Sequence, residues 1–167
     1  MRVAPTHHFA CRLAWTGAEH GGTSTYRAYS RAYRVDFDGK PSLEGSAAPP
    51  FRGDGSRHNP EDLLVAALSA CHCLSYLALC ARAGVEVVAY DDEASGRMEL
   101  VGRGDDRGLA FTEVVLRPKV VVAPGTDVAK AERLHAKAHA QCFIARSVAF
   151  PVRNEPTIRL AAAMLEG

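Results

Sequence analysis

The sequence predicts an α+β fold in which antiparallel sheets wrap around a long, buried central helix. Residues 63–81 form a run of 19 positions without Asp, Glu, Lys or Arg. A helix that is apolar on every side has to be buried on every side. Segments rich in β-branched and aromatic residues lie before and after this run, and a second, amphipathic helix pattern lies among the later ones. This order is typical of helices collected on one side of antiparallel sheet.

The residues at its two ends predict that the central helix covers residues 59–84. Asn59 can cap the first turn, and Pro60 suits the first helical position because no N–H is missed there. Glu61 and Asp62 place carboxylates at the positive end of the helix dipole. Gly84 supplies a left-handed stop. At ~1.5 Å per residue the helix is about 36 Å long. A chain of 167 residues has difficulty covering that length, so we expect a partner subunit and a homodimer.

The amino-terminal part, residues 1–58, is predicted to be strands and loops. A helical period also fits residues 23–37, but their Thr and Tyr content favours a strand. Asp38-Gly39 is a hairpin turn signal. The two prolines and two glycines of residues 47–58 indicate a loop. Strands are therefore expected at 8–15, 23–37 and 42–46.

The carboxy-terminal part, residues 85–167, is predicted to be a strand–helix–strand lobe. Residues 111–123 carry the strongest strand pattern, with Pro118 at a bulge or an edge. A cap at Thr126 or Asp127 starts a second helix over 128–140. Further strands are expected at 85–90, 97–101, 148–152 and 157–160. We interpret residues 1–167 as one domain.

Composition and charge exclude several classes of partner. The net charge is +1, from 20 basic and 19 acidic residues, without a block of like charge. We therefore expect no nucleic-acid partner and no anionic membrane surface. The amino end has no apolar core of signal-peptide length, which favours a cytoplasmic protein. Ser69, His72, Ser75 and several alanines dilute the central run, so we do not expect it to span a membrane.

Two of the five cysteines have neighbours that suggest chemistry. An odd number of cysteines makes a disulfide scaffold improbable and leaves redox, metal or buried-thiol roles open. Cys71 lies mid-helix beside His72, and Cys142 follows His135 and His139. A thiol reacts as the thiolate, so it needs a cation or a donor nearby. By spacing alone, both cysteines can equally be small buried hydrophobes.

The segment NPEDLLVAALSAC resembles the signature of the OsmC/Ohr family, the osmotically inducible protein C and organic hydroperoxide resistance proteins. Cys71 follows Glu61 by ten residues, and Cys142 comes about seventy residues later, after AKAHAQ. The resemblance covers nearly the whole chain and implies the OsmC-like fold and an intertwined homodimer. The family commonly has Cys-Pro where this chain has Cys142-Phe143, and often Phe where it has His72. These departures indicate a divergent branch.

The resemblance implies a thiol peroxidase that reduces organic hydroperoxides. Cys71 corresponds to the thiol that becomes a sulfenic acid, and Cys142 to the thiol that resolves it as a disulfide. An external dithiol, of the lipoyl type in the family, is the reductant, and no bound cofactor is implied. In the family a Glu and an Arg hold the thiolate. Glu61 matches the Glu, whereas both Arg52 and Arg31 are candidates for the Arg, with Arg52 narrowly favoured.

Helix geometry limits what Glu61 can do. Ten residues correspond to ~15 Å of rise and about 280° of rotation, so Glu61 cannot contact Cys71 of the same straight helix. Three arrangements remain. The helix breaks, Glu61 serves the cysteine of another subunit, or Glu61 acts through an arginine. We favour an active site at a dimer interface.

Two other functions remain open at this point. Cysteines and histidines could bind zinc or copper, but Cys71 and Cys73 diverge by roughly 200° on a helix, which is poor chelate geometry. We therefore expect no metal. Alternatively, the fold could bind a lipid-like molecule without catalysis, because fold does not fix function. The metal candidates are Cys71, His72, Cys73, His135, His139 and Cys142, and the pocket candidates are Tyr26, Tyr29, Tyr33 and Phe51.

Overall fold

The computed structural model describes residues 6–162, and its elements confirm the α+β class. Within these residues the helices are α1 (Pro60–Ala83) and α2 (Val128–Gln141). Short 3-10 helices occur at Gly17–His20, Pro49–Phe51, Gly104–Asp106 and Ala145–Ser147. The strands are β1 (Arg12–Trp15), β2 (Tyr33–Asp36), β3 (Leu43–Gly45), β4 (Val87–Asp92), β5 (Ser95–Val101), β6 (Gly108–Leu116), β7 (Pro118–Val122), β8 (Val152–Asn154) and β9 (Thr157–Leu160).

The chain divides into two compact units, one ending at Leu63 and the other starting at Leu64. The first unit contains the antiparallel sheet β1-β2-β3. The predicted turn at Asp38-Gly39 joins β2 to β3. Gly39 has φ +67°, a left-handed conformation that glycine adopts without steric cost.

The predicted strand over residues 23–37 is wrong for its first ten residues, because only β2 forms. Residues 23–29 form bends and turns instead, and residues 30–32 have no regular structure. The guanidinium of Arg31 donates hydrogen bonds to the carbonyl oxygens of Tyr26 and Tyr29. It also lies 3.9 Å from the ring centroid of Tyr29. These contacts fold the segment onto one side chain, which an extended strand could not do.

The ends of α1 follow the sequence prediction closely. Asn59 Oδ1 accepts a hydrogen bond from the backbone N–H of Asp62 at 2.8 Å, which satisfies one of the free donors of the first turn. Gly84 has φ +68° and ends the helix. Between these residues α1 runs without a break.

The expectation that α1 is buried on every side is wrong for a single chain. The buried stripe has i, i+4 spacing and contains Leu68, His72, Tyr76 and Cys80, with Leu79 beside it. The opposite face is exposed, and Leu74 keeps 68% of its surface accessible. A single chain therefore leaves an apolar helix face uncovered.

By length and composition, α1 is the one helix among residues 6–162 that is long and apolar enough to cross a membrane. One such helix is weak evidence, because a core helix of a globular protein meets the same criteria.

The predicted strand over residues 111–123 is two strands in different sheets. Strand β6 ends at Leu116, and β7 begins at Pro118. Between them, the backbone N–H of Arg117 donates to Asp92 Oδ1 at 2.6 Å. Pro118 has no N–H to give to a ladder, which is why proline is tolerated at the first residue of a strand.

The second unit contains two three-stranded sheets, in the orders β4-β7-β9 and β5-β6-β8. Both are mixed rather than purely antiparallel, because β9 pairs with β7, and β8 with β6, in parallel. Two apolar clusters form the core. Cluster 1 joins α1, α2 and β7 through residues that include Tyr76, Leu79, Val120, Val122 and Ala138. Cluster 2 joins α1 to β6 through Leu68, Val114 and Leu116, with Ile144 packed against it.

We predict that Asn59→Ala lowers the free energy of unfolding by about 1 kcal/mol, because the first turn of α1 loses its cap. Urea denaturation followed by circular dichroism measures the change. Asn59→Asp is the matched control, since it keeps a capping oxygen and should retain most of the stability. Equal stability of Asn59→Ala and the unaltered protein would contradict the role of the cap.

Candidate active site

Cys71 and Cys142 are close neighbours, because the Cys71 thiol contributes to the raised pKa of Cys142. Both are free cysteines; Cys71 is half-buried, and Cys142 is 1% exposed. Cys71 lies at the middle of α1, and Cys142 caps the end of α2. The structure therefore brings together two of the five predicted site residues.

Core packing explains why two cysteines 71 positions apart meet. On α1, Cys71 lies between Leu68, which belongs to cluster 2, and Tyr76, which belongs to cluster 1. Cys142 has the same placement, because Ala138 packs in cluster 1 and Ile144 against cluster 2. Along the chain, each of the two cysteines therefore lies between a residue of cluster 1 and a residue of cluster 2.

Burial and the hydrogen bond with Cys71 raise the pKa of Cys142 to about 11. The backbone N–H of Ala145, with its nitrogen 3.5 Å from Sγ, acts in the opposite direction and does not outweigh them. A hydrogen bond raises the pKa of a thiol when that thiol is the donor. Cys142 is therefore protonated at neutral pH.

Cys71 also lines a groove of about 570 Å³. The groove follows α1, because its members on that helix recur at helical spacing. Its walls are mainly apolar, and Phe143 is 75% exposed there. Two exposed cations, Arg82 and Arg146, also line it, and neither has a carboxylate within 4 Å among the described residues. The other lining residues are Leu74, Ser75, Ala78 and Gln141.

Glu61 lies in the first turn of α1. Because α1 is unbroken, the ~15 Å separation along the axis stands, and a helix break is excluded. Glu61 Oε2 is buried and has no hydrogen-bond partner among the described residues. Burial, followed by the charges of Glu61 and Asp62, raises the pKa of the nearby Tyr33.

Of the two candidate arginines, Arg31 shares a cavity with Glu61. This cavity lies in the first unit and has a volume of about 470 Å³. Arg52 does not line it; it is exposed and follows the short 3-10 helix at Pro49–Phe51 with φ +64°. The geometry therefore favours Arg31 as the arginine that acts with Glu61, whereas the sequence narrowly favours Arg52. Aromatic side chains form much of the cavity wall, namely Trp15, Tyr29, Tyr33 and Phe51.

A buried polar cluster lies next to the cysteines. His72 Nε2 is 3.0 Å from His135 Nδ1 and 3.0 Å from Asn154 Nδ2. His72 is fully buried and His135 is 2% exposed. The ring of His135 stacks on Tyr76 with centroids 3.7 Å apart. This cluster connects α1, α2 and β8, and we call it the histidine cluster.

The histidine cluster is incompletely satisfied. His72 Nδ1, His135 Nε2 and Asn154 Oδ1 are buried without hydrogen-bond partners among the described residues, as is Nδ1 of the neighbouring His139. Each such group costs about 1–3 kcal/mol. Burial, then the charge of His139, lowers the pKa of His72 to about 4, and burial, then the charge of His72, lowers that of His135 to about 3. Both rings are therefore neutral at pH 7.

The described residues contain no group of three or more His, Cys, Asp or Glu side chains placed to hold a metal ion. His72 and His135 face each other through Nε2 and Nδ1. Their other ring nitrogens therefore lie on opposite sides of the pair. Cys73 lies in a different environment from Cys71, since burial and the charge of Asp92 raise its pKa.

Four residues around the cysteines were not predicted from the sequence. Arg82 could have been found, because Cys71, Leu74, Ala78 and Arg82 follow one face of a helix at i, i+3, i+7 and i+11. Nothing local indicates the other three, Phe143, Arg146 and Asn154, because they follow α2 and reach the site only through the tertiary fold.

The family model for OsmC-like proteins matches residues 53–156, which is more than half of the chain, so this protein belongs to the OsmC/Ohr family. An OsmC-like protein of unknown function from Vibrio cholerae O1 biovar eltor has a similar structure. It shares 32% identity and a TM-score of 0.79, with 91% of this chain and all of that chain covered.

Two other relatives are informative. An organic hydroperoxide resistance protein from Elizabethkingia anophelis shares the fold, with 20% identity, a TM-score of 0.66, and coverage of 96% of this chain and 100% of that one. The uncharacterized protein YmaD of Bacillus subtilis (strain 168) is 29% identical over 100 residues, which is 58% of this chain. The chain spans 63% of the length of this curated relative. The chain therefore shares the OsmC-like fold with a protein that is named for organic hydroperoxide resistance.

We predict that the stability of the protein falls as the pH decreases from about 6.5 to 4. An unfolded histidine has a pKa of about 6.5, whereas those of His72 and His135 are near 4 and 3. In this interval the unfolded chain binds more protons, so acid favours unfolding by on the order of 2 kcal/mol per histidine at pH 4. Urea midpoints measured at a series of pH values test this.

The control for this prediction is a variant that lacks a histidine at the surface. The double variant His72→Leu/His135→Leu should lose most of the slope between pH 6.5 and 4. His8→Gln, which removes an exposed histidine, should keep it. A double variant with an unchanged slope would show that other groups cause the acid sensitivity.

Proposed function

We propose that this protein is a thiol-dependent peroxidase that reduces organic hydroperoxides in oxidative-stress defence. The observation that supports this proposal is that the Cys71 and Cys142 thiols are neighbours and that Cys71 lines an apolar groove. A thiol that is half-exposed in a groove can meet a peroxide. A second, buried thiol close to it can then form a disulfide.

The proposed cycle has three steps. The thiolate of Cys71 attacks the distal oxygen of ROOH, the O–O bond breaks, and the alcohol leaves with a proton. Cys71 is now a sulfenic acid. The sulfur of Cys142 attacks the sulfur of Cys71, a disulfide forms, and the hydroxyl group leaves with the Cys142 proton as water. An external dithiol, of the lipoyl type, reduces the disulfide by exchange and becomes a disulfide itself.

The groove supports an organic substrate. Leu74, Ala78 and Phe143 provide apolar surface beside Cys71, and this surface would pack against the carbon skeleton of an organic hydroperoxide. Hydrogen peroxide offers no such surface. Burial of apolar area stabilises the complex by about 25 cal/mol per Å².

We further propose a homodimer in which Glu61 and Arg31 of one chain serve Cys71 of its partner. Two observations support this. The helix between Glu61 and Cys71 is unbroken, so the two residues cannot meet within one chain. The exposed apolar face of α1 also requires cover, which a second copy can supply.

A second candidate is a small-molecule binding protein without catalysis. The cavity in the first unit favours it, because Tyr29, Tyr33 and Phe51 form its wall as expected for a pocket that takes a lipid-like molecule. In that case the cysteines would not react with peroxide, and the oxidation experiment below separates the two functions.

We predict that reduced protein mixed with micromolar cumene hydroperoxide loses two of its five thiols per chain within minutes. Cys71→Ser should lose none at this rate, because the attacking sulfur is absent. Cys142→Ser should stop at the sulfenic acid, which dimedone traps. Thiol titration with mass spectrometry measures these products.

The exposed Cys11 provides the control, since Cys11→Ser should behave like the unaltered protein. Thiol loss that persists in Cys71→Ser, or no loss in the unaltered protein, would contradict the peroxidase. The second outcome would favour the binding function.

We also predict that Cys71→Ser and Glu61→Gln, each of low activity alone, recover activity when refolded together. Random pairing makes half of the dimers mixed, and each mixed dimer has one intact composite site, so about a quarter of the normal activity should return. Arg31→Gln should likewise recover activity when it is refolded together with Cys71→Ser. Arg52→Gln, in contrast, should be active without a second variant. If mixing restores no activity, the site is not shared between chains.

A further inference from the structure

The histidine cluster connects the three elements that surround the cysteine pair. His72 follows Cys71 on α1, so any rotation or slide of α1 moves both side chains together. His135 lies two turns before Cys142 on the same side of α2. A hydrogen bond between His72 and His135 therefore fixes the position of one cysteine-bearing helix against the other.

The proton arrangement in the cluster is defined by Asn154. An amide NH2 group can only donate, so Nε2 of His72 accepts from Asn154 Nδ2 at 3.0 Å. The same Nε2 atom also lies 3.0 Å from Nδ1 of His135. Polar groups of α2 and β8 therefore converge on one atom of α1, and this restricts sliding along the helix axis as well as rotation.

The cluster is not the most stable way to fill this space. Three of its own polar atoms, and one of the adjacent His139, are buried without partners among the described residues. Apolar side chains of similar volume would avoid that cost. Directional hydrogen bonds, in contrast to apolar contacts, define one relative position of the helices. This points to a role in geometry rather than in stability.

A disulfide needs such precision. Its sulfur atoms bond at 2.03–2.05 Å, and strain grows quickly when the Cα atoms are misplaced. The apolar clusters bring Cys71 and Cys142 to the same junction, but apolar packing tolerates small shifts of a helix. A shift of about 1 Å between α1 and α2 would separate the attacking sulfur from the sulfenic acid.

We propose that His72, His135 and Asn154 are positioning residues for disulfide closure, holding α1, α2 and β8 in the register that brings the Cys142 sulfur onto Cys71. This inference rests on the proposed peroxidase for its kinetic consequence. The geometry itself concerns only the pairing of two thiols and can be measured without peroxide.

The first test is the equilibrium of the Cys71–Cys142 disulfide with glutathione, measured by quenching in acid and mass spectrometry. His135→Leu should decrease the equilibrium constant for disulfide formation at least tenfold, because the two thiols lose effective concentration. His135→Asn should restore most of it, since the asparagine amide places an N–H near the position of Nδ1. Asn154→Leu should behave like His135→Leu.

The second test separates the chemical steps. In His135→Leu, the sulfenic acid should form at a rate within twofold of the unaltered protein, and its conversion to the disulfide should slow at least tenfold. Stopped-flow measurements with dimedone trapping give both rates. Leu134→Ala is the matched control, because it loosens packing against cluster 1 on the same helix without touching the histidine cluster.

The outcomes are distinguishable. Equal equilibrium constants for disulfide formation in His135→Leu and the unaltered protein overturn the inference. A decrease in Leu134→Ala as large as that in His135→Leu also overturns it. Failure of His135→Asn to restore the equilibrium also overturns it. If the unaltered protein forms the disulfide in glutathione but does not react with hydroperoxide, the proposed function fails and the positioning role stands.

Discussion

The need to cover α1 is the constraint on which the rest of the structure depends. Its 24 residues carry almost no charge, and every apolar atom left in water is unfavourable by about 25 cal/mol per Å². The chain covers one stripe of the helix with two clusters built from β6, β7 and α2. The junction between these clusters is where Cys71 and Cys142 meet, so the site is a consequence of how the helix is covered.

Polar groups in this core are few, and they lie beside the sulfur atoms. Apolar packing brings the two cysteines close, but it does not define a single distance between them. Hydrogen bonds are directional and are lost when a helix shifts. The histidine cluster therefore adds directional contacts that cluster 1 and cluster 2 do not provide. Its cost is several buried polar atoms without hydrogen-bond partners among the described residues.

Two cavities occur at different positions along α1. One contains Cys71 and two arginines without carboxylate partners among the described residues. The other contains Glu61 and Arg31 with an aromatic wall. Each contains residues to which the proposed peroxidase assigns a role. In the dimer that we propose, two chains together bring both sets of residues to one substrate.

The sequence by itself determined the α+β class, both ends of α1 and the extent of α2, because caps and periodicity are local. It did not predict the irregular backbone of residues 23–32, the break at Arg117, or the parallel pairing of β8 with β6 and of β9 with β7. It also did not predict the groove residues Phe143 and Arg146. The tertiary structure decided these. Arg31 folds its segment through its side chain, which donates to the carbonyl groups of Tyr26 and Tyr29. Asp92 accepts a hydrogen bond from the N–H of Arg117, which is far along the chain. His72 has a partner only because α2 and β8 pack beside α1. Interactions between residues far apart in the chain leave no periodic signal in the sequence, and they form only when burial of the core brings their elements together.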